Sequence, residues 1–168
     1  MTELERTKKS ERELRLHRCC FTGHRPEKLR ASEEEVRRAL RREILRAVEE
    51  GYVTFLTGMA RGVDLWAAEE VLAQREAHGL HLIAVLPHPD FEARWNAAAR
   101  LTYLRVLGAA DHTVTVSPAF DMGAYQRRNR YMVDRSSLVI AAFDGTPGGT
   151  RNTVLYAKAQ GVPVRNVL

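Results

Sequence analysis

Six short apolar segments alternate with longer segments of helical periodicity along most of this 168-residue chain. The segment from Leu138 to Phe143 is apolar at every position, which is typical of a parallel strand buried on both faces. Alternation of strands and helices favours right-handed crossovers and a sheet covered by helices on both sides. The pattern therefore predicts an α/β fold, a three-layer α/β/α sandwich with a mainly parallel sheet. The other predicted strands are Leu16–Thr22, Val53–Leu56, His81–Leu86, His112–Val116 and a short edge strand beginning within Val162–Val164.

The predicted helix after the first strand has the clearest boundaries. Ser32 and Glu35 have the spacing of a capping box, in which each side chain bonds the backbone amide of the other. Apolar residues from Val36 to Val48 then form one stripe at helical spacing, and Gly51 is typical of a left-handed helix stop. Further helices are predicted over about 62–77, 91–107, 124–134 and 150–161.

The first sixteen residues alternate in charge sign, and Leu4 and Leu14 are too few to form an apolar face. We therefore expect residues 1–16 to be a flexible charged extension, with a docking helix as the alternative. Residues 17–168 are enough for a single domain with one core.

Composition narrows the protein classes. The net charge of +5 is compatible with phosphate-rich partners, and residues 94–135 carry seven arginines against three aspartates. No apolar run is long enough to span a membrane, and the charged start lacks the apolar segment of a signal peptide. Cys19 and Cys20 would point to opposite faces of a strand, so we expect reduced core residues and no metal site. A cytoplasmic location and no membrane partner are expected, while monomer and homo-oligomer both stay open.

Glycines, hydroxyls and charged side chains follow several of the predicted strands. Ligands of open parallel sheets bind beyond the carboxyl ends of the strands, so these loops are expected to share one rim. The loop after the third strand is Pro87–Asp90. The candidate ligand-binding residues come from the loops after the first, second and fifth strands and from the predicted helix over 124–134. These candidates are Thr22, Gly23, His24, Arg25, Gly58, Met59, Ala60, Gly62, Asp64, Arg128, Asp144, Gly148, Gly149 and Thr150.

The turn Gly148-Gly149-Thr150 follows a buried strand and opens a helix, whose first amides are unpaired and carry the positive end of the dipole. Glycine there lets a phosphate approach the backbone closely. An ordinary turn capped by Thr150 is the alternative. The second loop has the same arrangement, because Gly58 and Gly62 lie between a predicted strand and a predicted helix. Asp64 is expected to cap that helix or orient a ribose hydroxyl. Neither loop is a P-loop, because no Lys-Ser/Thr pair follows the glycines.

Two interpretations stay open for each of several side chains. Arg25 is suited to bidentate phosphate pairing or to a salt bridge with a neighbouring acid. Trp95 is either a core or lid residue or a base-stacking platform. The four arginines between Arg127 and Arg135 occupy different helix faces, and we expect about two of them to form a solvated surface.

These motifs resemble the YpsA-like branch of the SLOG superfamily, which is related to the DNA-processing protein DprA and to the Lonely Guy (LOG) phosphoribohydrolases. The resemblance extends from about Cys19 to Val164 and rests on four segments together. It implies a Rossmann-like fold and a ligand that is a nucleotide or is derived from one. The four segments are Thr22–Pro26, Gly58–Ala68, Gln126–Asp134 and Pro147–Thr150.

The resemblance also bears on chemistry. The Gly58–Ala68 segment resembles the glycine loop of DprA, a single-stranded DNA binder. The spacing of Arg128 and Met132 before Gly148-Gly149-Thr150 resembles LOG enzymes, which cleave the base from a nucleoside monophosphate. In those enzymes an arginine matching Arg128 and a glutamate just past the turn do the chemistry. Here Arg151–Leu155 follows without an acid, so the departure predicts phosphate binding without LOG-type cleavage.

Three functions stay under consideration. The first is binding or sensing of a nucleotide or nucleotide-derived phosphate ligand, with no required cofactor. The second is a hydrolase or transferase acting on an N-glycosidic or phosphate bond, with Asp64, Asp90, Asp134 or Asp144 as the acid. The third is DprA-like binding of single-stranded nucleic acid, although aromatic residues make up only 7% of the chain, few for a base-stacking platform.

Overall fold

A computed structural model describes residues 1–168 and contains one six-stranded, fully parallel sheet in the order β4-β3-β2-β1-β5-β6. Helices cover both faces, so the predicted Rossmann-like α/β architecture is confirmed. The strands are β1 (Arg18–Gly23), β2 (Thr54–Thr57), β3 (His81–Leu86), β4 (His112–Thr115), β5 (Leu138–Ala142) and β6 (Val164–Asn166). The helices are α1 (Glu3–Arg15), α2 (Glu33–Glu49), α3 (Val63–His78), α4 (Ala97–Ala109), α5 (Ala124–Asp134) and α6 (Gly149–Ala159).

The strand order places a crevice at the carboxyl end of β1. From β1 the chain moves outward through β2 and β3 to β4, and then returns to the other side of β1 to form β5 and β6. The neighbours β1 and β5, which pair from Cys19↔Leu138 to Gly23↔Ala142, therefore connect in opposite directions. Such a switch point is where open α/β sheets bind ligands, because the connections diverge and leave a gap.

The hydrophobic core is divided by the sheet. One cluster packs β1–β3 and β5 against α2, α3 and α4, and it includes the stacked rings of Phe21 and Phe55, whose centroids are 5.8 Å apart. A smaller cluster packs the opposite face of the sheet against α5 and α6. Cys19 belongs to the first cluster and Cys20 to the second, and both are buried and free, as the strand alternation predicted.

Capping side chains determine where two helices begin. Ser32 accepts from the Glu35 amide at 3.2 Å while the Glu35 carboxylate accepts from the Ser32 amide at 2.8 Å, which confirms the predicted capping box. The predicted start of α4 near Phe91 is wrong. Asn96 caps α4 by accepting from the Ala99 amide at 2.9 Å, so the helix begins at Ala97.

The N-terminal segment is helical in the structure, where the sequence pattern predicted a flexible extension. Thr2 and Glu5 form a capping box at the start of α1, and acidic residues in its first turn and basic residues in its last turn complement the helix dipole. No residue of α1 is buried, in line with its lack of an apolar face. None of the six helices is both long and apolar enough to cross a membrane.

Candidate functional site

A polar cavity of about 260 Å³ lies at the switch point, between the end of β1, the β2–α3 loop, α5 and the first turn of α6. Nine of the candidate residues line this main cavity, so the structure brings three separate loops and α5 together. The nine are Thr22, Gly23, His24, Arg25, Ala60, Asp64, Arg128, Gly149 and Thr150.

The other five candidates lie around the main cavity without lining it. Gly58 packs directly behind its wall, and Met59 is fully buried with a left-handed φ of 63°. Gly62 packs against the ring of Pro26 and precedes α3. Asp144 contacts His24, and Gly148 is the N-cap of α6.

Arg128 is the most deeply placed cation of the site, with 5% of its surface exposed. Its Nη1 donates to the carbonyl oxygen of Gly58, and its Nε donates to Asn129 Oδ1 at 2.8 Å. These bonds hold the guanidinium against the β2–α3 loop and leave Nη2 without a protein partner. Burial lowers the pKa of Arg128, which the Asp64 carboxylate opposes, and an arginine stays charged in proteins.

Asp64 stabilises the loop that precedes α3. Its Oδ2 accepts from the Ala60 amide at 3.2 Å, while Thr57 Oγ1 donates to the Asp64 carbonyl at 2.9 Å and accepts from the Met59 amide at 3.2 Å. No side chain caps α3 at Gly62, so Asp64 ties the loop together and is not the helix cap. Burial raises the pKa of Asp64, against the opposing effects of the Arg128 charge and the Ala60 amide.

His24 joins β1 to the β5–α6 loop. Its Nε2 lies 2.7 Å from Asp144 Oδ1 and 3.3 Å from the Asp144 amide nitrogen. The Asp144 amide donates to Nε2, which fixes the imidazole against this loop. Thr146 donates to the same carboxylate oxygen through its hydroxyl at 2.6 Å and its amide at 2.9 Å. These two bonds, aided by His24, lower the pKa of Asp144 to about 2.

Positive groups face the mouth of the main cavity. Arg25 is exposed and has no carboxylate within salt-bridge distance, whereas the nearby Glu27 pairs with Arg61 at 2.8 Å. Lys28 also lines the cavity, and its Nζ donates to the Pro147 carbonyl at 3.5 Å. The salt bridge to a neighbouring acid, one of the two interpretations of Arg25, is therefore not formed.

The first turn of α6 contributes backbone donors. No side chain caps this helix at Gly148, so Thr150 is not the cap that an ordinary turn would supply. The first helical backbone hydrogen bond runs from the Asn152 amide to the Gly148 carbonyl at 3.1 Å. The amides before Asn152 point out of the helix end beside Gly149 and Thr150, both of which line the cavity.

Only one arginine of the basic α5 segment reaches the main cavity. Arg127 pairs with Asp121 and Ser117, Arg130 lies over the Tyr156 ring, and Arg135 lies over the Tyr131 ring. Three of the four arginines therefore make surface contacts outside the main cavity, whereas the sequence predicted about two.

Four residues that line the main cavity were missed from the sequence: Phe21, which was assigned only to the first strand, and Lys28, Tyr125 and Asn129. Lys28 lies in a short 3₁₀ turn (Pro26–Lys28), five residues beyond the end of β1, so its position does not follow from the strand ends. Tyr125 and Asn129 could have been found, because Tyr125 lies three residues before Arg128 and four before Asn129 on the same helix. No group of three or more His, Cys, Asp or Glu side chains is arranged to hold a metal ion.

A family model, YpsA, described as the YspA SLOG family, matches residues 19–164 of the chain. The protein belongs to the YspA SLOG family. This SLOG protein is 32% identical over 118 residues to the UPF0398 protein BH1768 of Halalkalibacterium halodurans, an alignment that covers 68% of this chain and 62% of that protein. The resemblance in the sequence motifs is thereby confirmed.

Solved structures show where else this fold occurs. DNA processing protein A (DprA) from Streptococcus pneumoniae superimposes with a TM-score of 0.65 at 20% identity, covering 91% of this chain and 50% of that one. DprA from Helicobacter pylori, whose single-stranded DNA binding mode has been described, superimposes with a TM-score of 0.63 at 19% identity and covers 94% of this chain and 67% of that one. The SLOG protein thus spans half to two thirds of these chains and shares their fold.

Proposed function

We propose that this SLOG protein binds a nucleotide or a nucleotide-derived phosphate ligand in the main cavity. The observation that carries the proposal is the convergence, on one cavity, of a buried arginine, two exposed cations and an uncapped helix N-terminus. Arg128, Arg25 and Lys28 come from different parts of the chain, and the only acid that lines the cavity is Asp64. Such a set of donors suits a phosphate, which accepts several hydrogen bonds at once.

The different environments of the three cations in the main cavity support the same ligand class. Arg128 is held by Gly58 and Asn129, so its Nη2 is preorganised and loses little freedom on binding. Arg25 and Lys28 are exposed, and they suit steering and final pairing of a mobile anion. The hydroxyls of Thr22 and Thr150 also line the cavity and suit contact with a sugar or phosphate oxygen.

Calorimetry with AMP, GMP, CMP and UMP tests the proposal. We expect at least one monophosphate to bind, and Arg25→Ala and Lys28→Ala each to weaken it by about 10-fold, the effect of a lost charge-assisted hydrogen bond. Arg30→Ala is the matched control, because Arg30 is exposed, equally charged and outside the cavity. No heat of binding for any monophosphate, or equal losses in Arg25→Ala and Arg30→Ala, would contradict the proposal.

Single-stranded nucleic acid is a second candidate ligand. It is favoured by the fold shared with Helicobacter pylori DprA, which superimposes over 94% of this chain. A phosphate site that accepts a mononucleotide also suits one phosphate of a strand. Titration of a labelled oligonucleotide at several salt concentrations separates the two ligands, because each additional phosphate contact steepens the salt dependence of binding.

A further inference from the structure

A second, smaller cavity of about 140 Å³ adjoins the main cavity. The two share Arg25, Ala60 and Tyr125 as lining residues, so they lie on either side of a common wall. The remaining lining residues are Arg61, Phe91 and Trp95. Because this aromatic cavity lies on the edge of the main one, a ligand bound by its phosphate could extend into it.

The turn before α4 holds the indole of Trp95 in place. Phe91 and Tyr103 contact the indole edge-to-face, with ring centroids at 5.3 and 5.6 Å, and they contact each other at 5.5 Å. The Trp95 amide donates to the Glu92 carbonyl at 3.0 Å, which fixes the backbone. Trp95 stays partly exposed within this cluster, so it is a rigid aromatic surface with an open side.

Tyr125 links the aromatic cavity to the phosphate-binding groups. The Arg128 guanidinium carbon lies 5.7 Å from its ring centroid, within the range of a cation–π contact. His88 contacts the same ring edge-to-face at 5.8 Å. The ring of Tyr125 is thereby held from two sides in the wall between the cavities.

The two cavities differ in chemistry. The main cavity has three hydrophobic residues among thirteen, whereas the aromatic cavity has four among six. Arg61 is paired with Glu27, so Arg25 is the one cation of the aromatic cavity without a carboxylate partner. An aromatic surface beside a guanidinium suits a planar π-system better than a second phosphate.

The volumes of the two cavities also favour a ligand that occupies both. At about 260 Å³ the main cavity is smaller than the roughly 300–1,000 Å³ of typical small-molecule sites, whereas both cavities together fall within that range. We infer that the aromatic cavity is a base subsite, in which the nucleobase of the ligand stacks on Trp95 and Tyr125 while the phosphate lies beside Arg128. This inference rests on the proposed function and narrows the ligand to phosphates that carry an aromatic base.

Comparison of AMP with ribose 5-phosphate tests the base subsite, because the two ligands differ by the base. Stacking on an aromatic side chain contributes about 10-fold or more to affinity. We expect AMP to bind wild-type protein at least about 10-fold more tightly than ribose 5-phosphate, and Trp95→Ala to reduce that ratio to near one. Trp66→Phe is the matched control, since Trp66 packs against the core outside both cavities, and it should leave the ratio unchanged.

Fluorescence provides a measurement that does not depend on the Trp95→Ala variant folding. The chain has two tryptophans, so Trp95 is the only one in Trp66→Phe. AMP should quench its emission, and ribose 5-phosphate should not. Equal affinity for the two ligands, or an emission that AMP leaves unchanged while it binds, would overturn the base subsite and leave the phosphate site standing. Failure of every ligand to bind would overturn the proposed function and this inference with it.

Discussion

The β2–α3 loop (residues 58–62) and the β5–α6 loop (residues 143–148) look alike in sequence, since each places glycines between a buried strand and a helix. In the structure they differ in what surrounds those glycines. A Cβ built on Gly58 would lie 2.8 Å from the Arg128 guanidinium and from Asp64 Oδ2, whereas one built on Gly149, the first residue of α6, would meet nothing within 4 Å. The first loop is a packed wall of the main cavity, and the second presents open backbone to it. Similar glycine patterns thus support two roles: close packing of protein groups and close approach of a ligand.

Gly62→Ala and Gly148→Ala give the largest expected difference between the loops. Both glycines have positive φ, 86° and 144°, so alanine strains both backbones. At Gly62 the new Cβ would also lie 2.6 Å from the rigid Pro26 ring, whereas at Gly148 its nearest neighbour is the flexible Lys28 Nζ at 3.4 Å. We expect about 2–5 kcal/mol of destabilisation for Gly62→Ala and about 1–3 for Gly148→Ala, measured by urea unfolding. Equal losses would show that packing does not distinguish the loops.

Gly149→Val tests whether open backbone at the start of α6 serves a ligand. Gly149 lines the main cavity with ordinary φ and free space around it, so a valine side chain fits the fold. It would occupy the space that a phosphate needs beside the helix amides. We expect a change below about 1 kcal/mol in the free energy of unfolding and a loss of about 10-fold or more in AMP affinity by calorimetry.

Gly58→Ala is the matched variant for the packed loop. It should weaken AMP binding together with stability, by about 1–3 kcal/mol, because it displaces Arg128 and Asp64. If Gly149→Val binds AMP as wild type does, the phosphate lies elsewhere on the rim.

Each of the two loops is also hydrogen-bonded by an aspartate, Asp144 within the β5–α6 loop and Asp64 from the first turn of α3, and the two aspartates have opposite pKa shifts. Thr146 and His24 lower the pKa of Asp144 to about 2, so this carboxylate stabilises the fold above the unfolded value of about 3.9, and its contribution is lost as pH falls towards 2. Burial raises the pKa of Asp64, so Asp64 destabilises the fold above its raised pKa, and this penalty is relieved as pH falls towards about 3.9.

Urea unfolding between about pH 7 and pH 2 measures both effects. The stability advantage of wild type over Asp144→Asn should shrink below about pH 4, where the unfolded-state aspartate begins to protonate. The stability of wild type relative to Asp64→Asn should instead increase as the pH falls. A parallel pH profile for the two variants would contradict the assigned environments of the two carboxylates.

Local signals explain which parts of the fold and site the sequence predicted. The bounds of β3 and α5 were correct because periodicity and flanking breakers mark both, and the shared rim followed from parallel topology. The start of α4 was misplaced because the aromatic residues before Asn96 continue a helical pattern, while the cap ends it. Arg128 was a candidate through the LOG resemblance and not through its local sequence, because its inward position depends on the carbonyl of Gly58, seventy residues away. Contacts of that range leave no local pattern.

The smallest expected effect concerns cleavage of the glycosidic bond, and it follows from the position of the acidic side chain in the site. The LOG resemblance implies a glutamate just past Gly148-Gly149-Thr150, but the residues there are Arg151, Asn152 and Thr153, of which the first two are exposed and Thr153 bonds the Gly149 carbonyl. The one acid that lines the main cavity, Asp64, comes from the first turn of α3 and is already bonded to the Ala60 amide of the β2–α3 loop.

Cleavage of a glycosidic bond needs a positioned anion or base, which contributes roughly 10²- to 10⁴-fold in rate. Arg128 can hold a phosphate but cannot activate water. We therefore expect negligible release of free base when purified protein is incubated with AMP or CMP and the products are separated by chromatography, under conditions in which calorimetry shows binding. Turnover that disappears in both Arg128→Ala and Asp64→Asn would reverse this expectation. It would place the catalytic carboxylate at the start of α3, bonded to the packed loop, so that both loops would contribute to one reaction.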